Sequence, residues 1–313
     1  MNTEILDMVV RSAAVPTMPQ VVTRFLEISG EEDFKVDDLV AVLNTDPGIS
    51  SELLRLTNSP LFGVTRTVAS LQQAVTLLGM KRVRSLVLGR YLTEGVGKTG
   101  KNTNDFSLSY YWRRSLGTAV LAAKFADHVA PKYREEAFLG GLLADVGVVV
   151  MNEAMSEQYA PIAAHYSPMC ADDFSEQERE TFDLTHADVS ALVLDKWMLP
   201  PAVVEAVRHH HAPNIGDEVD EAAGTLARIL SGASRVAKLL CESPDKDAVV
   251  DTCQRAMDMV GLDVVALQRA LADIEKNIEE FSKLLRTDII QSGIYTRISQ
   301  IIVEELAGEA AVS

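Results

Sequence analysis

An aspartate set inside an apolar run is the residue of this sequence that most needs a chemical partner. Residues 141–151 read GLLADVGVVVM, and Asp145 is the one charged residue among them. On a helix predicted over 134–146, Asp145 follows Phe138 by seven positions and Leu142 by three, so it should point inward. An ionised carboxylate in that position is costly unless it is paired. Its partner could be a metal ion, a catalytic neighbour or an arginine.

Two further polar residues are predicted to face the same pocket. In YYWRRSLGTAVLAAKF, Arg114 shares a helix face with apolar side chains and should point inward. In THADVSALVLDKW, Thr185 and Asp188 match a capping box, which places His186 at the start of a helix. Arg114 and His186 are therefore candidates to surround the buried carboxylate.

Three consecutive histidines, residues 209–211, lie near the end of the stretch PPAVVEAVRHHHAP, residues 200–213. On a helix predicted over 201–211, His210 lies on the apolar stripe, whereas His209 and His211 are turned about 100° to either side. By that geometry the three adjacent histidines do not share one ligand.

His186 and His210 allow two interpretations. Buried polar groups normally find hydrogen-bond partners, so both histidines can be satisfied residues of a pocket. The alternative is a residual one-metal site made of Asp145, His186 and His210. The sequence favours the first interpretation, and no cofactor is predicted.

The elements that would hold these residues are helices. Strand-like alternation is almost absent, and the one β-rich stretch, VGVVVM at 146–151, does not distinguish a strand from a buried helix segment. Periodicity and capping residues such as Asp46 and Ser70 predict helices over 21–28, 46–56, 70–89 with a stop at Gly79, 109–127, 134–146, 186–197, 201–211 and 222–241. The predicted fold class is all-α and multi-helical.

A glycine-rich polar stretch, GVGKTGKNTND at 95–105, is predicted to be a linker. It separates an amino-terminal helical subdomain over 1–95 from a second helical subdomain over 105–242. A carboxy-terminal helical extension follows over 246–308. The cleft between the first two subdomains is the default site for a ligand or partner.

The carboxy-terminal extension carries a heptad pattern over 264–285. One interpretation is a coiled coil that joins two copies of the chain, and the other is an amphipathic helix packed on its own domain. The sequence favours the intramolecular packing slightly and leaves a homodimer through 264–285 as the alternative. Apolar residues alternate at spacings of three and four, as a and d positions do, at Val264, Leu267, Leu271, Ile274, Ile278, Phe281 and Leu285.

The overall charge argues against bulk binding to nucleic acids or anionic membranes. The formal net charge is −16 and the isoelectric point is about 4.8, so phosphate backbones repel the chain. One basic cluster departs from this balance, and it is interpreted as a solvated helix face that pairs with nearby acids. This basic cluster consists of Lys81, Arg82, Arg84 and Arg90.

Cysteine usage and the amino terminus predict a cytoplasmic protein. Cys170, Cys241 and Cys253 form no CxxC pair, which fits reduced thiols. The first residues, MNTEILDMVV, lack the basic start and apolar block of a signal peptide. No apolar run approaches the roughly 18 residues of a membrane span.

A series of longer motifs runs from about residue 13 to about residue 241. Its first half contains VPTMPQVV, DPGISSELLRLTNSPLFG and SLQQAVTLLGMKRVRSLVL. Its second half contains YWRRSLGTA, EEAFLGGLLADVG, THADVSALVLDKWMLPPAVVEAVRHHH and LARILSGASRVAKLL. In this order the motifs resemble the HDOD family, which is related to the HD superfamily of metal-dependent phosphohydrolases. The resemblance implies an HD-like helical fold for 105–242.

The resemblance also implies that the metal site of the HD superfamily has decayed. An active HD phosphohydrolase holds its metal with a histidine, an adjacent His-Asp pair and a later aspartate. The corresponding positions here are Arg114, Ala144, Asp145 and Ser234. Arginine is a permanent cation, alanine offers no donor and serine is a weak ligand, so one strong ligand remains, the aspartate. We therefore expect Arg114 to supply, in place of a metal, the positive charge that Asp145 requires.

The predicted function is that of a pseudoenzyme, a non-catalytic module of bacterial signal transduction. It is expected to act through protein–protein interaction or by sensing a nucleotide or another small ligand in a pocket of Arg114, Asp145, His186 and His210. The alternative is a metal-dependent phosphohydrolase or phosphodiesterase that uses Asp145, His186 and His210. A third interpretation is a nucleic-acid or ribonucleoprotein adaptor that uses the basic cluster.

Overall fold

The computed structural model describes residues 3–12, 14–15, 18–30, 33–58, 67–95, 106–167, 174–213, 220–242, 246–285 and 299–304. Within these ranges every regular element is helical and no strand occurs, so the prediction of an all-α fold is confirmed. The predicted linker lies, after its first residue, outside the described residues. A single 3₁₀ turn occupies Pro131–Tyr133. The α-helices in chain order are α1 Thr3–Arg11, α2 Gln20–Ser29, α3 Val36–Leu43, α4 Pro47–Thr57, α5 Leu71–Leu78, α6 Met80–Gly95, α7 Leu108–Val129, α8 Arg134–Leu143, α9 Val146–Ala154, α10 Ser156–Ala163, α11 Ser175–Phe182, α12 His186–Lys196, α13 Pro201–Arg208, α14 Glu221–Cys241, α15 Lys246–Val260, α16 Val264–Ala272 and α17 Ile274–Leu285.

Backbone contacts divide the chain into two compact units. The smaller unit comprises Pro16–Gly95 and Glu280–Thr287. The larger unit comprises Met1–Val15, Val96–Glu279 and Asp288–Ser313. The sequence division differs from this one, because it placed the first residues with 1–95 and treated the carboxy-terminal extension as a separate part.

In the smaller unit, helix boundaries follow the predicted capping residues. The Asp46 carboxylate accepts hydrogen bonds from two backbone N–H groups at the start of α4, at 2.9 and 3.1 Å. The Ser70 hydroxyl accepts one from the Gln73 N–H at the start of α5. Gly79 separates α5 from α6 with a φ of +77°, a conformation that favours glycine. The predicted caps and the predicted stop are confirmed.

The basic cluster does not form one solvated face. Lys81 is exposed and Arg82 and Arg84 are half-buried on α6. Arg90 is buried and forms an ion pair with the buried Glu52, so the prediction is wrong for this residue. Residues 85–90 of α6 are buried, and a cation there requires an acidic partner. Arg90 is therefore not available to a nucleic acid.

The larger unit is built around α7, which packs against α8, α14 and α16. Apart from Arg113 and Lys124, every residue of α7 from Tyr110 to Ala126 is buried. A helix that is apolar on nearly all faces belongs to the interior of a domain. It carries Arg114 into that interior, as its helix face predicted.

The stretch VGVVVM forms the buried first part of helix α9. This helix packs against α12. At Gly147 the approach is so close that a Cβ would lie 2.0 Å from the carbonyl oxygen of His186. The Gly147 N–H also donates to the Ser190 hydroxyl at 2.8 Å. The absent side chain thus lets the turn before α9 lie beside the start of α12.

The heptad pattern falls on two helices, because Asp273 separates α16 from α17. The side chain of Leu285 lies outside the described residues. The homodimer through 264–285 stays a prediction, whereas burial within the chain agrees with the intramolecular interpretation. Four of the heptad residues are at most 2% exposed, namely Leu267, Leu271, Ile274 and Ile278.

One segment of the described chain, Pro131–Ala154, is long and apolar enough to cross a membrane by length and composition. The expectation that no apolar run approaches such a length is therefore wrong for this segment. Its most apolar window is 83% buried inside the protein, as core helices of soluble proteins are. Within the described residues Cys241 and Cys253 are buried and form no disulfide, and Cys170 lies outside the described residues.

Candidate functional site

Asp145 lies in the turn between two buried helices. Helix α8 ends at Leu143 and α9 begins at Val146, so the prediction of one helix over 134–146 is wrong at its carboxyl end. Aspartate favours such helix ends, because its short side chain competes for local hydrogen bonds. The predicted burial is observed, since Asp145 is 5% exposed. Its carboxylate makes no capping hydrogen bond to α9 and is directed to other side chains instead.

The two carboxylate oxygens of Asp145 have different neighbours. The Tyr166 hydroxyl donates to Oδ2 at 2.7 Å, and Nε of Arg114 lies 3.6 Å from the same oxygen. The other oxygen, Oδ1, lies 3.2 Å from Nε2 of His210 and 3.7 Å from Nε2 of His186. One oxygen therefore faces an arginine and a tyrosine, and the other faces two histidines.

Arg114 contacts two residues at positions that the resemblance assigns to the HD metal site, Asp145 and Ser234. Its Nη2 donates to the Ser234 hydroxyl at 3.3 Å, and its Nε approaches Asp145. The guanidinium also lies over the ring of Tyr166, 4.9 Å from the ring centroid, where a cation is attracted by the π face. Ala144 is buried beside this group and offers no side-chain donor. The structure thus brings together the sequence-predicted Arg114, Asp145 and Ser234.

His186 stands at the first position of α12, and the predicted capping box of Thr185 and Asp188 is confirmed. Both its backbone N–H and its ring Nδ1 contact Oε2 of Glu178, at 2.8 and 2.7 Å. The Tyr159 hydroxyl donates to the other oxygen of Glu178. Nε2 of His186 is therefore turned towards Asp145.

Glu178 is a site residue that the sequence analysis missed. It is 0% exposed, although it belongs to the highly charged helix SEQERETF. A signal was present, because Phe174, Glu178 and Phe182 follow one another at spacings of four and share a helix face. Both phenylalanines are buried, so that face points inward.

His210 is 1% exposed, as its place on the apolar stripe predicted. Helix α13 ends at Arg208, so the predicted helix over 201–211 is three residues too long. Nδ1 of His210 lies 2.7 Å from the carbonyl oxygen of Val207. This contact leaves Nε2 directed at Asp145.

His211 joins the same group, contrary to the expectation that its side chain is turned about 100° away from that of His210. Its Nε2 lies 2.8 Å from Nε2 of His186, and its ring centroid lies 4.0 Å from that of His210. The expectation failed because the chain leaves the helix before these residues, so the 100° rotation no longer applies. His209 is separate, since its side chain is 31% exposed and near Glu205.

The electrostatics of the group favour charged forms. Burial alone would raise the pKa of Asp145, but Arg114 and the neighbouring histidines hold it well below its usual range. Burial likewise lowers the pKa of His186, but Glu178 and Asp145 outweigh it and raise the pKa to about 10. The pKa of Arg114 is also raised, against the effect of burial, by Tyr166 and Asp145. Asp145 is thus ionised and Arg114 protonated at neutral pH.

The donors present fit a metal ion on one side of Asp145. Asp145, His186, His210 and His211 each offer a ligand atom, and these atoms lie within 4.8 Å of one another. Imidazole nitrogens and a carboxylate oxygen are ligands of zinc and related divalent metals. On the opposite side stands the permanent cation of Arg114, which repels a metal. The residues therefore fit a metal among the histidines but not at the other HD positions.

The described part of the chain is an HD-like helical fold in which a buried aspartate lies between an arginine and three histidines. A family model described as the HDOD domain matches residues 15–213, more than half of the chain. The chain belongs to the HDOD family, and the resemblance seen in its motifs is confirmed.

Known relatives share the family or the fold. An uncharacterized protein of Treponema pallidum (strain Nichols) is 24% identical over 223 residues, 68% of this chain. The chain spans 41% of the length of that relative. Among solved structures, a proposed phosphohydrolase from Shewanella amazonensis SB2B has a TM-score of 0.72 at 23% identity and covers 91% of this chain and 98% of its own. An HDOD domain protein of unknown function from Geobacter sulfurreducens has a TM-score of 0.68 at 20% identity over 90% and 99%.

A proposed signal transduction protein from Marinobacter aquaeolei VT8 also has this fold. Its TM-score is 0.60 at 20% identity, and the match covers 96% of this chain and 65% of that one. At these identities the structural likenesses show the common fold, and activity has to be argued from the site.

Proposed function

We propose that this chain is a non-catalytic regulatory module of bacterial signal transduction, located in the cytoplasm. It acts through a protein partner or through a small ligand that it senses. Membership of the HDOD family supports this proposal, as does the shared fold with a proposed signal transduction protein.

The observation that carries the proposal is the position of Arg114. Its guanidinium lies 3.6 Å from Asp145 and 3.3 Å from Ser234, between two positions that would hold the catalytic metal of an HD phosphohydrolase. A metal that activates water requires several donors and an open coordination position. A permanent, buried cation excludes both at this place. Asp145 is then neutralised by the chain itself.

The surface charge indicates the kind of partner. With a formal net charge of −16, the protein repels nucleic acids and anionic lipids over most of its surface. Basic protein surfaces are attracted, since complementary potentials accelerate and select encounters. We therefore expect the signalling partner to present a basic face.

A turnover screen tests the proposal. The purified chain is incubated with manganese, iron, nickel or zinc and with a generic phosphodiester, nucleotides and cyclic dinucleotides. The expected result is no hydrolysis product above the level of the Asp145→Asn variant under any condition. Metal-dependent hydrolysis that chelator and Asp145→Asn both abolish would overturn the proposal.

A phosphohydrolase or phosphodiesterase is the second candidate. The observation that favours it is the group of donors formed by Asp145, His186 and His210, to which the fold adds His211. In this case a substrate phosphate has to reach a metal bound by Asp145, His186 and His210, and each of these residues is at most 5% exposed. Turnover in the same screen, lost in His210→Ala but retained in His209→Ala, would establish this candidate.

A further inference from the structure

We propose that Asp145, His186, His210 and His211 form a closed site for one divalent transition-metal ion of the zinc class. The site is non-catalytic, and in this respect it rests on the proposed regulatory function. It deepens that function by naming a small ligand that the module binds. This assignment is supported by the contacts of Asp145, His210 and His186.

The two oxygens of Asp145 allow Arg114 and a metal ion to be accommodated together. Oδ2 accepts from Tyr166 at 2.7 Å and faces Arg114 at 3.6 Å. Oδ1 is turned to His210 at 3.2 Å and to His186 at 3.7 Å. The cation from the chain therefore lies against one oxygen, and the other oxygen remains available as a single ligand.

The tautomer of His210 points to a cation beside Oδ1. A carbonyl oxygen only accepts hydrogen bonds, so Nδ1 of His210 carries the proton that it donates to Val207 at 2.7 Å. In the neutral ring, Nε2 then presents a lone pair to Oδ1 of Asp145 at 3.2 Å. Two lone pairs at that distance repel each other unless a second proton or a metal ion lies between them.

His186 is oriented in the same way by Glu178. The Glu178 carboxylate accepts from Nδ1 of His186 at 2.7 Å and is itself completely buried. A carboxylate on the far nitrogen is the common support of a metal-binding histidine, because it fixes the tautomer and the ring orientation. Nε2 of His186 then meets Nε2 of His211 at 2.8 Å. Glu178 is thus a positioning residue of the site.

One metal ion would satisfy these contacts together. The four ligand atoms already lie within 4.8 Å of one another. Four protein donors match the ligand number of structural zinc sites, which keep no open position for a reacting water. The donors come from the turn before α9, the start of α12 and the turn after α13. Metal binding would therefore hold these three segments together and stabilise the folded state.

Metal content and thermal stability of the full chain test the proposal. The protein is stripped with chelator, dialysed separately against zinc, cobalt, nickel, iron and manganese, and analysed by mass spectrometry. The expected result is about one equivalent of zinc per chain and a higher Tm with zinc, in line with metal linkage. His211→Ala and His210→Ala should lose both effects. His209→Ala should retain them, because its side chain lies outside the group.

Two further measurements test the coordination geometry of the metal and the orienting role of Glu178. Cobalt in the site should give the intense visible absorption of four-coordinate cobalt, whereas six-coordinate cobalt absorbs weakly. Glu178→Gln should weaken zinc affinity by about 10- to 100-fold in a competition titration, because the orienting carboxylate is lost. Circular dichroism of each variant verifies that it is folded.

The outcomes separate this inference from the proposed function. Absence of metal in folded wild-type protein, or equal uptake by His211→Ala, would overturn the metal site. The regulatory function would remain, because it depends on the absence of turnover. Weak, six-coordinate cobalt absorption would overturn the closed site. Metal-dependent turnover that His211→Ala abolishes would overturn both the non-catalytic site and the proposed function.

Discussion

Four side chains surround the Asp145 carboxylate, and further contacts orient each of them. The Ser234 hydroxyl accepts a hydrogen bond from Arg114. The Glu178 carboxylate accepts one from His186, and the Val207 carbonyl oxygen accepts one from His210. Tyr166, the fourth side chain, is held among aromatic rings that include Phe106, Tyr110 and Phe174. A buried polar network gains stability from such contacts, although Nε of Arg114 makes no hydrogen bond in it.

Replacing Tyr166 with phenylalanine tests how much the Tyr166 hydroxyl contributes to this network. The variant keeps the ring that lies under Arg114 but removes the hydroxyl that donates to Asp145. We expect a loss of about 1–3 kcal/mol in the free energy of unfolding, because a buried carboxylate loses a donor. Urea denaturation followed by circular dichroism measures it. Tyr133→Phe, a change at a more accessible ring, should stay within about 0.5 kcal/mol; equal effects would contradict the role of the hydroxyl.

Helical periodicity was enough to predict the inward direction of Arg114, Asp145 and His210. It could not predict Tyr166, Glu178 or His211 as neighbours of Asp145. Tyr166 follows the end of α10 and His211 follows the end of α13, where no helix period applies. Contacts across long sequence separations depend on the tertiary packing of the helices.

Helix ends position the carboxylate and the histidines of the site. Asp145 precedes α9, His186 begins α12, and both His210 and His211 follow α13. The close approach of α9 to α12 at Gly147 brings two of these ends together. The sequence predicted most helix bodies correctly and erred at these ends, because terminal residues are decided by tertiary contacts as much as by propensity.

Adding a methyl group at Gly147 should separate these two helices. In Gly147→Ala the Cβ would lie 2.0 Å from the carbonyl oxygen of His186, so the backbone has to shift. We expect a loss of about 3 kcal/mol or more in unfolding free energy, at the upper end of overpacking costs. Gly224→Ala in α14 is the matched control, since its nearest neighbour would be 3.8 Å away.

The control should be neutral or stabilise the protein by up to about 1 kcal/mol, because alanine favours helix more than glycine does. Urea denaturation measures both variants under the same conditions. An effect of Gly147→Ala as small as that of Gly224→Ala would contradict the close approach of α9 to α12.

Burial of Cys253 in α15 predicts its reactivity. Burial raises the pKa of this thiol to about 12, so the folded protein keeps it protonated where an exposed thiol ionises. Between about pH 8 and 10, alkylation should therefore accelerate in the urea-unfolded chain and remain slow in the folded one. Peptide mass spectrometry after timed iodoacetamide treatment measures Cys253 directly. Equal rates in both states would contradict its burial.

At the scale of the whole molecule, the formal net charge of −16 opposes the binding of polyanions. Arg90 of the basic cluster is paired with Glu52 inside the smaller unit and adds no exposed positive charge. The all-α class and the HDOD family followed from motifs and periodicity. The grouping of Met1–Val15 with the larger unit did not, since it depends on contacts of α1 with α9 and α12.

This charge distribution predicts weak or absent nucleic-acid binding. Fluorescence anisotropy with labelled RNA and DNA at low salt should show no saturable signal, because phosphate contacts require clustered cations. Neutralising Lys81 and Arg82 together should change nothing. Binding that weakens steeply with salt, and is lost in that variant, would favour the nucleic-acid adaptor.

The account depends most directly on the neutralisation of Asp145 by Arg114 without a metal. A double-mutant cycle with Arg114→Met and Asp145→Asn, measured by urea denaturation in excess chelator, isolates this interaction. We expect each single variant to lose about 3–5 kcal/mol and the double variant to lose clearly less than the sum, because each single change removes one partner of a buried ion pair. Additive losses, with a coupling below about 0.5 kcal/mol, would show that Arg114 does not neutralise Asp145 and would contradict the account.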